Sequence, residues 1–292
     1  MKWSGGLVDW ADDNRAYISV VFSWQKQEAY QKAAWIRASG KEVWMGGPAV
    51  YNDPCFFDDI AFIAPPIDDV IWKHNQEATF TTRGCLRTCQ FCIVPKIEPE
   101  YKELKYWPAR PIVCDNNILA CSDAHFDRVI DQLKPLKNID FNQGLDARLM
   151  TKRHAELLQT LNMKVVRLAW DHTEIENQWM RAFQILIDVG FKPRDIHSYV
   201  LIGFNDTPED ALYRLDTIKK LGAIPNPMRY QPLDAIKRNS YIGENWTEAK
   251  LKNYMRYWSR QIWLGHIPFE DYDFRKVGKS KPPTCKRKKA DI

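Results

Sequence analysis

The sequence predicts an α/β fold, and three patterns carry that prediction. Between residues 77 and 235, apolar β-branched runs alternate six times with stretches of helical periodicity. Ahead of them, residues 1–76 read as one small β-α-β unit with a further short strand. Behind them, residues 236–274 form a helical extension with one apolar face. Composition agrees. The 292 residues are 45% hydrophobic and 27% charged, which excludes wholesale disorder and suits about two domains. No window approaches a run of about 18 uncharged apolar residues, so no membrane span is expected. Seven cysteines are an odd number, and the N-terminus lacks the apolar run of a secretory signal. Both point away from a disulfide framework and towards a reducing cytoplasm.

The elements follow in order. The run from Ala16 to Ser23 is a buried-strand pattern. Residues 25–39 place Ala29, Ala33 and Ile36 at helical spacing, and Gly40 stops the helix. A strand entered at Glu42 ends in the turn Gly46-Gly47-Pro48, and a short strand over 59–64 is closed by Pro65 and Pro66. In the central region strands are expected at 78–82, 112–115, 139–142, 165–170, 197–202 and 228–231. Helices are expected near 89–93, 123–133, 152–161, 174–189 and 208–221. Asp123 and Thr207 read as N-caps, with Pro208 at the first helical position. Six such units in succession call for a parallel sheet, open or closed into a barrel. A last helix near 247–263 sets Leu251, Tyr254, Met255, Trp258 and Ile262 on one face, after a capping-box-like Asn245-Trp246-Thr247-Glu248.

Charge is unevenly placed. Residues 275–292 hold eight Lys or Arg against Asp291, net +7, while the whole chain is +5, so the rest is −2. Only this segment is basic. It reads as a disordered, solvated tail, with a nucleic-acid contact as the alternative.

The segment that carries chemistry is Thr82-Arg83-Gly84-Cys85-Leu86-Arg87-Thr88-Cys89-Gln90-Phe91-Cys92. Three cysteines spaced C-x3-C-x2-C on the loop after the first central strand can wrap one corner of a cubane cluster. Four-iron clusters ordinarily take four thiolates, so three would leave one iron open. Structural zinc needs a fourth ligand, and the only near candidate is His74.

The segment resembles the radical S-adenosylmethionine (radical SAM) superfamily, whose motif has this spacing and an aromatic residue, here Phe91, before the last cysteine. It is most similar to the cobalamin-binding and methylthiotransferase-like branch, although Leu86 stands where that branch often has proline. The resemblance implies a partial (β/α)6 TIM-like barrel over 77–235 and a [4Fe-4S] cluster held by Cys85, Cys89 and Cys92. It also implies SAM on the open iron, an external one-electron donor of flavodoxin or ferredoxin type, and hydrogen abstraction by a 5′-deoxyadenosyl radical. Relatives of the branch modify tRNA bases, methylate unreactive carbons and rearrange small molecules, which leaves nucleoside, RNA or peptide modification open.

The family takes further SAM contacts from the ends of later strands. Here those positions are Asp115 and Asn117, where relatives have a Gly-Gly-Glu-like motif, and Arg148, placed to meet the SAM carboxylate. Asp171 stands where relatives carry Glu-Ser. Gly203 opens Phe204-Asn205-Asp206-Thr207, in place of the usual Pro-Gly-Glu-Thr adenine platform. His172 beside Asp171, and Cys114 at a strand end, are the candidate catalytic residues; the remaining Cys55, Cys121 and Cys285 are scattered. The turn at Gly46-Gly47-Pro48 is similar to one in cobalamin-binding domains, but no histidine precedes His74 to serve as a lower ligand. Cobalamin is therefore not expected, and the N-terminal unit reads as a truncated relic capping the barrel. The reading from a different class is a non-catalytic module in which zinc or a cluster holds the fold together.

Overall fold

The computed structural model describes residues 3–67 and 69–277. In the N-terminal unit, strand β1 (Leu7–Ala11) pairs antiparallel with β2 (Arg15–Val20), which is followed by helix α1 (Lys26–Ala38) and strand β3 (Glu42–Gly46). A helix between two strands makes a crossover, so β2 and β3 run parallel. Ala29, Ala33 and Ile36 bury the predicted face of α1 in one cluster with Ile18, Val20 and Met45. Helix α2 (Pro48–Asn52) and strand β4 (Phe62–Ile63), parallel to β3, complete a sheet in the order β1-β2-β3-β4. β1 is absent from the sequence expectation, and the strand expected over 59–64 shortens to two residues.

After helix α3 (Ile71–His74) comes strand β5 (Ala78–Thr79). A two-stranded antiparallel pair follows, β6 (Thr82–Arg83) with β7 (Lys102–Glu103), and it encloses the cysteine loop and helix α4 (Val94–Ile97). The chain then alternates through β8 (Ile112–Val113), α5 (Asp123–Leu133), β9 (Ile139–Phe141), α6 (Lys152–Gln159) and β10 (Met163–Ala169). It continues through α7 (Glu176–Asp188), β11 (Ile196–Ile202), α8 (Pro208–Lys220) and β12 (Ile224–Arg229). β5 and β8–β12 form a six-stranded parallel sheet in the order β12-β11-β10-β9-β8-β5. Neighbours in space are thus neighbours in the series, so each crossover steps the same way, and right-handed crossovers put the helices on one face. There Phe126, Leu158, Trp179 and Leu215 of α5–α8 share a core with Ile139, Leu168 and Val200 of the strands. β5 and β12 are the two edges and do not pair, so among the described residues the sheet is open. Because all six strands are parallel, their C-terminal ends line one edge, and that edge carries the site.

Several local expectations change. No helix forms over 89–93; Cys92 N–H donates to Cys89 O (3.0 Å) in a turn, and α4 begins only at Val94. The N-cap of α5 is Ser122, whose Oγ accepts from His125 N–H (3.2 Å); Asp123 is the first helical residue. Thr207 does cap α8, in a full capping box with Asp210. The last strand lies earlier than 228–231, at Ile224–Arg229. The final helix splits into α9 (Glu248–Trp258) and α10 (Gln261–Leu264), followed by α11 (Phe274–Val277). Thr247 caps α9, but the third helical residue is Lys250, which cannot accept, so there is no capping box. Leu251, Tyr254 and Trp258 bury their stripe in the core of the parallel sheet. Arg275, Lys276 and Val277, the start of the basic segment, belong to α11, and residues 278–292, Cys285 among them, lie outside the described residues. Among the described residues no helix is long and apolar enough to cross a membrane.

The N-terminal unit is tied across the site edge. Asn52 Nδ2 donates to Leu233 O (3.1 Å), Ser23 Oγ to Ala235 O (2.7 Å), and Lys96 Nζ of α4 to Asn52 O (2.8 Å).

Candidate metal and cofactor site

The cysteine loop is anchored at both ends before any sulfur is placed. At its entry the Asp115 carboxylate, 3% exposed, accepts from Thr81 N–H (2.6 Å), Thr82 N–H (2.9 Å) and the Thr81 hydroxyl. At its exit Glu98 pairs with Arg83 and accepts from Gly84 N–H (3.1 Å) and Asn116 Nδ2 (3.1 Å). Gly84 sits at φ +74, and a Cβ there would run into the carbonyl of Glu100, so only glycine lets the loop turn so tightly.

Cys85, Cys89 and Cys92 are free and half-buried. Cys85 Sγ accepts from Arg87 N–H (3.4 Å) and Asn117 Nδ2 (3.7 Å). Burial pushes the Cys89 and Cys92 thiols up, and as thiolates the three sulfurs would repel one another; the Arg148 guanidinium beside Cys89 works the other way. Around the sulfurs the strand ends are knitted together by Asp146, after β9. Its carboxylate, 7% exposed, accepts from Arg87 Nε (2.9 Å), Arg148 Nε (2.6 Å) and Nη2 (3.1 Å), and Asn117 Nδ2 (3.2 Å). Burial pulls the carboxyl of Asp146 up, but the two arginines outweigh it and hold it below its ordinary range. Arg148 is thus bidentate to a protein carboxylate, with the rest of its guanidinium towards Cys89.

The other expected residues fall along the same edge. Asp171, after β10, has its carboxyl pushed up to about 6 by burial, against the pull of Arg214 and Arg148. Arg214, fully buried on α8, donates to the carbonyls of Trp170 (2.9 Å), Asp171 (2.9 Å) and Leu201 (3.0 Å) and to Asp206 Oδ2 (2.7 Å), locking the ends of β10 and β11 together. Gly203 turns at φ +82, and its N–H donates to Asp206 Oδ1 (2.8 Å). Phe91 meets Phe204 edge to face (5.8 Å), and Phe204 meets Tyr230 (4.7 Å). His172 lies by Glu174 (3.5 Å). Cys114 is buried, and burial pushes its thiol up to about 12.

Three expected roles need correcting. Arg148 gives Nε and Nη2 to the Asp146 carboxylate, so it is not placed to pair with a carboxylate of SAM. Asp115 has both carboxylate oxygens committed to Thr81 and Thr82, so it clamps the loop rather than presenting itself to a ligand. His74 spends its ring nitrogens on Ser4 Oγ (2.9 Å) and Ser19 Oγ (2.9 Å), which removes it as a fourth zinc ligand. The residues that sequence reasoning missed as participants are Arg87, Asp146 and Arg214. Arg87 sits within the cysteine segment and Asp146 is two residues from its partner Arg148, but Arg87 and Asn117 lie 59 and 29 residues from Asp146.

The donor set suits an iron–sulfur cluster. It offers three thiols on one loop, a cation beside one of them to favour the thiolate, and a buried acceptor, Asn117 Oδ1, with no partner among the described residues. Among the described residues no three His, Cys, Asp or Glu side chains converge on a point where a single ion would sit. No protein-family model and no curated protein matches the chain.

Proposed function

We propose that this chain is a radical SAM enzyme that abstracts a hydrogen atom from its substrate, built as a partial (β/α)6 barrel capped by residues 1–76. The observation that carries the reading is the gathering of Asn117, Arg148 and Asp171, from the ends of three successive strands, around the C-x3-C-x2-C loop. A [4Fe-4S] cluster held by the three cysteines, with SAM beside it, would supply one-electron reductive cleavage of SAM and hydrogen-atom abstraction. Cys85, Cys89 and Cys92 hold the cluster, and Arg148 favours the thiolate at Cys89. Asn117 Oδ1, a buried acceptor with no partner among the described residues, would accept from the amino group of SAM. Asp171 would accept from the ribose hydroxyls, and the edge-to-face pair of Phe91 and Phe204 would border the adenine. Cys114 and His172 are the side chains that would exchange hydrogen or a proton with the substrate. The electron comes from an external flavodoxin or ferredoxin. Residence in the cytoplasm belongs to the same reading, and cobalamin has no part in it.

The test is anaerobic reconstitution. Wild-type protein is expected to take up about four irons and four sulfides, turn brown, and release 5′-deoxyadenosine from SAM under a strong reductant. The Cys85→Ala/Cys89→Ala/Cys92→Ala variant should lose all three properties. Colourless protein carrying zinc would replace this reading with the non-catalytic one.

A further inference from the structure

Between the N-terminal unit and the cysteine loop lies a cavity of about 210 Å³. One wall comes from the turns after β3 and β4, at Gly46, Gly47, Pro65 and Pro66. A second is aromatic, from Trp10, Tyr17, Trp44 and Phe80. Arg83 and Ile93, which bracket the cysteine segment, form the third, and the floor is Cys114, Asn116 and Gln143 at the ends of β8 and β9. An occupant would therefore rest against the two ends of the cysteine loop, at Arg83 and Ile93.

The chemistry of the wall is set by what its polar groups already do. His74 is bonded at both ring nitrogens, and the Tyr51 hydroxyl donates to Ala64 O (3.1 Å). Arg83 and Glu98 neutralise each other, and the guanidinium lies 3.9 Å over the Phe80 ring. Arg83 Nη1 has no partner among the described residues, but the charge of the guanidinium is matched by Glu98. Apart from the amides of Asn116 and Gln143 on the floor, the lining presents apolar and aromatic surface with no uncommitted charge, and a charged guest would lose hydration with little compensation. An apolar cavity of about 150 Å³ is enough to hold benzene, so this one has room for a somewhat larger ring system.

We propose that this cavity is the substrate chamber and takes an uncharged, hydrophobic small molecule of one or two rings. The inference rests on the radical SAM reading for what happens to the guest, but not for whether it binds. The probes are indane and indane-2-carboxylate, which share a skeleton and differ in charge. Binding is measured by calorimetry and ligand-observed NMR on the full chain, with and without reconstituted cluster. Indane is expected to bind saturably and at least about tenfold tighter than the carboxylate. Ile71→Trp, which fills the cavity from a half-buried wall position, should weaken indane about tenfold or more; Ile67→Trp, on the exposed rim, is the second variant should the first not fold. Equal or tighter binding of the carboxylate, no binding of indane to wild type, or undiminished binding to a folded wedge variant would overturn the proposal. Iron, sulfide and 5′-deoxyadenosine are read separately, so failure of the chamber and failure of the radical SAM reading give different results.

Discussion

Replacing Asp146 by asparagine keeps the shape of the side chain and removes the charge that Arg87 and Arg148 share. The carboxylate accepts four side-chain hydrogen bonds, three of them from guanidinium groups, and also the Arg148 backbone N–H (3.1 Å). In the variant one of the two oxygens becomes an amide donor facing other donors. Hydrogen bonds to charged groups contribute roughly 1.5–3 kcal/mol each in buried settings. Arg87 and Arg148 are 33% and 28% exposed at their side chains, so water recovers part of what is lost. The expected destabilisation is about 2–4 kcal/mol, or a fall in Tm of roughly 3–7 °C for a chain of this size. Thermal melts of the cluster-free protein under reductant measure it, and iron uptake measures the consequence for the loop, since Arg87 lies between Cys85 and Cys89. The native Asp146 pKa is depressed, so its contribution is present at neutral pH and lost as pH falls below about 4, through the folded value. The difference between wild type and variant should shrink there. A Tm change under about 1 °C at pH 7 with unaltered iron uptake would refute the claim that this carboxylate organises the site.

Gly84→Ala should destabilise the chain by about 2 kcal/mol or more and sharply lower iron uptake, because a left-handed φ and a clash with the Glu100 carbonyl both oppose the methyl group; a variant with unchanged urea midpoint and iron content would count against it. In the pH dependence of stability, burial holds His74, His125, His154 and His197 below the ordinary imidazole value. The unfolded chain therefore binds more protons below about pH 6.5, and Tm should fall from pH 7.5 to 6.5. Asp115 and Asp171, raised to about 6, act with the opposite sign and should flatten the fall at lower pH. Melts across that range check the sign, and a Tm rising on acidification from 7.5 to 6.5 would contradict it.

Local chemistry was legible wherever a signal was complete within a few residues. The spacing of Cys85, Cys89 and Cys92, the amphipathic run that became α5 at Asp123–Leu133, and the Thr207-Pro208 start of α8 all stand in the sequence as they stand in the structure. The parallel sheet was legible for the same reason, since a helix between two strands leaves no other pairing direction. Tertiary context decided what local rules misjudge. Pro225 and Pro227 argue against a strand, yet β12 tolerates them because it is an edge strand, where a missing N–H can face outwards. β1 became a strand only by pairing with β2. Asp115, a plausible ligand group by position, was drawn to Thr81 and Thr82, more than thirty residues away. Asp146 acquired its role from Arg87 and Asn117, and the apolar chamber exists only where the N-terminal unit meets the cysteine loop. The sequence alone determined the alternation of elements and the cysteine spacing. Which carboxylate clamps the loop, which one gathers the arginines and what faces the cavity depend on groups brought together across the whole sheet edge, and no short window contains them.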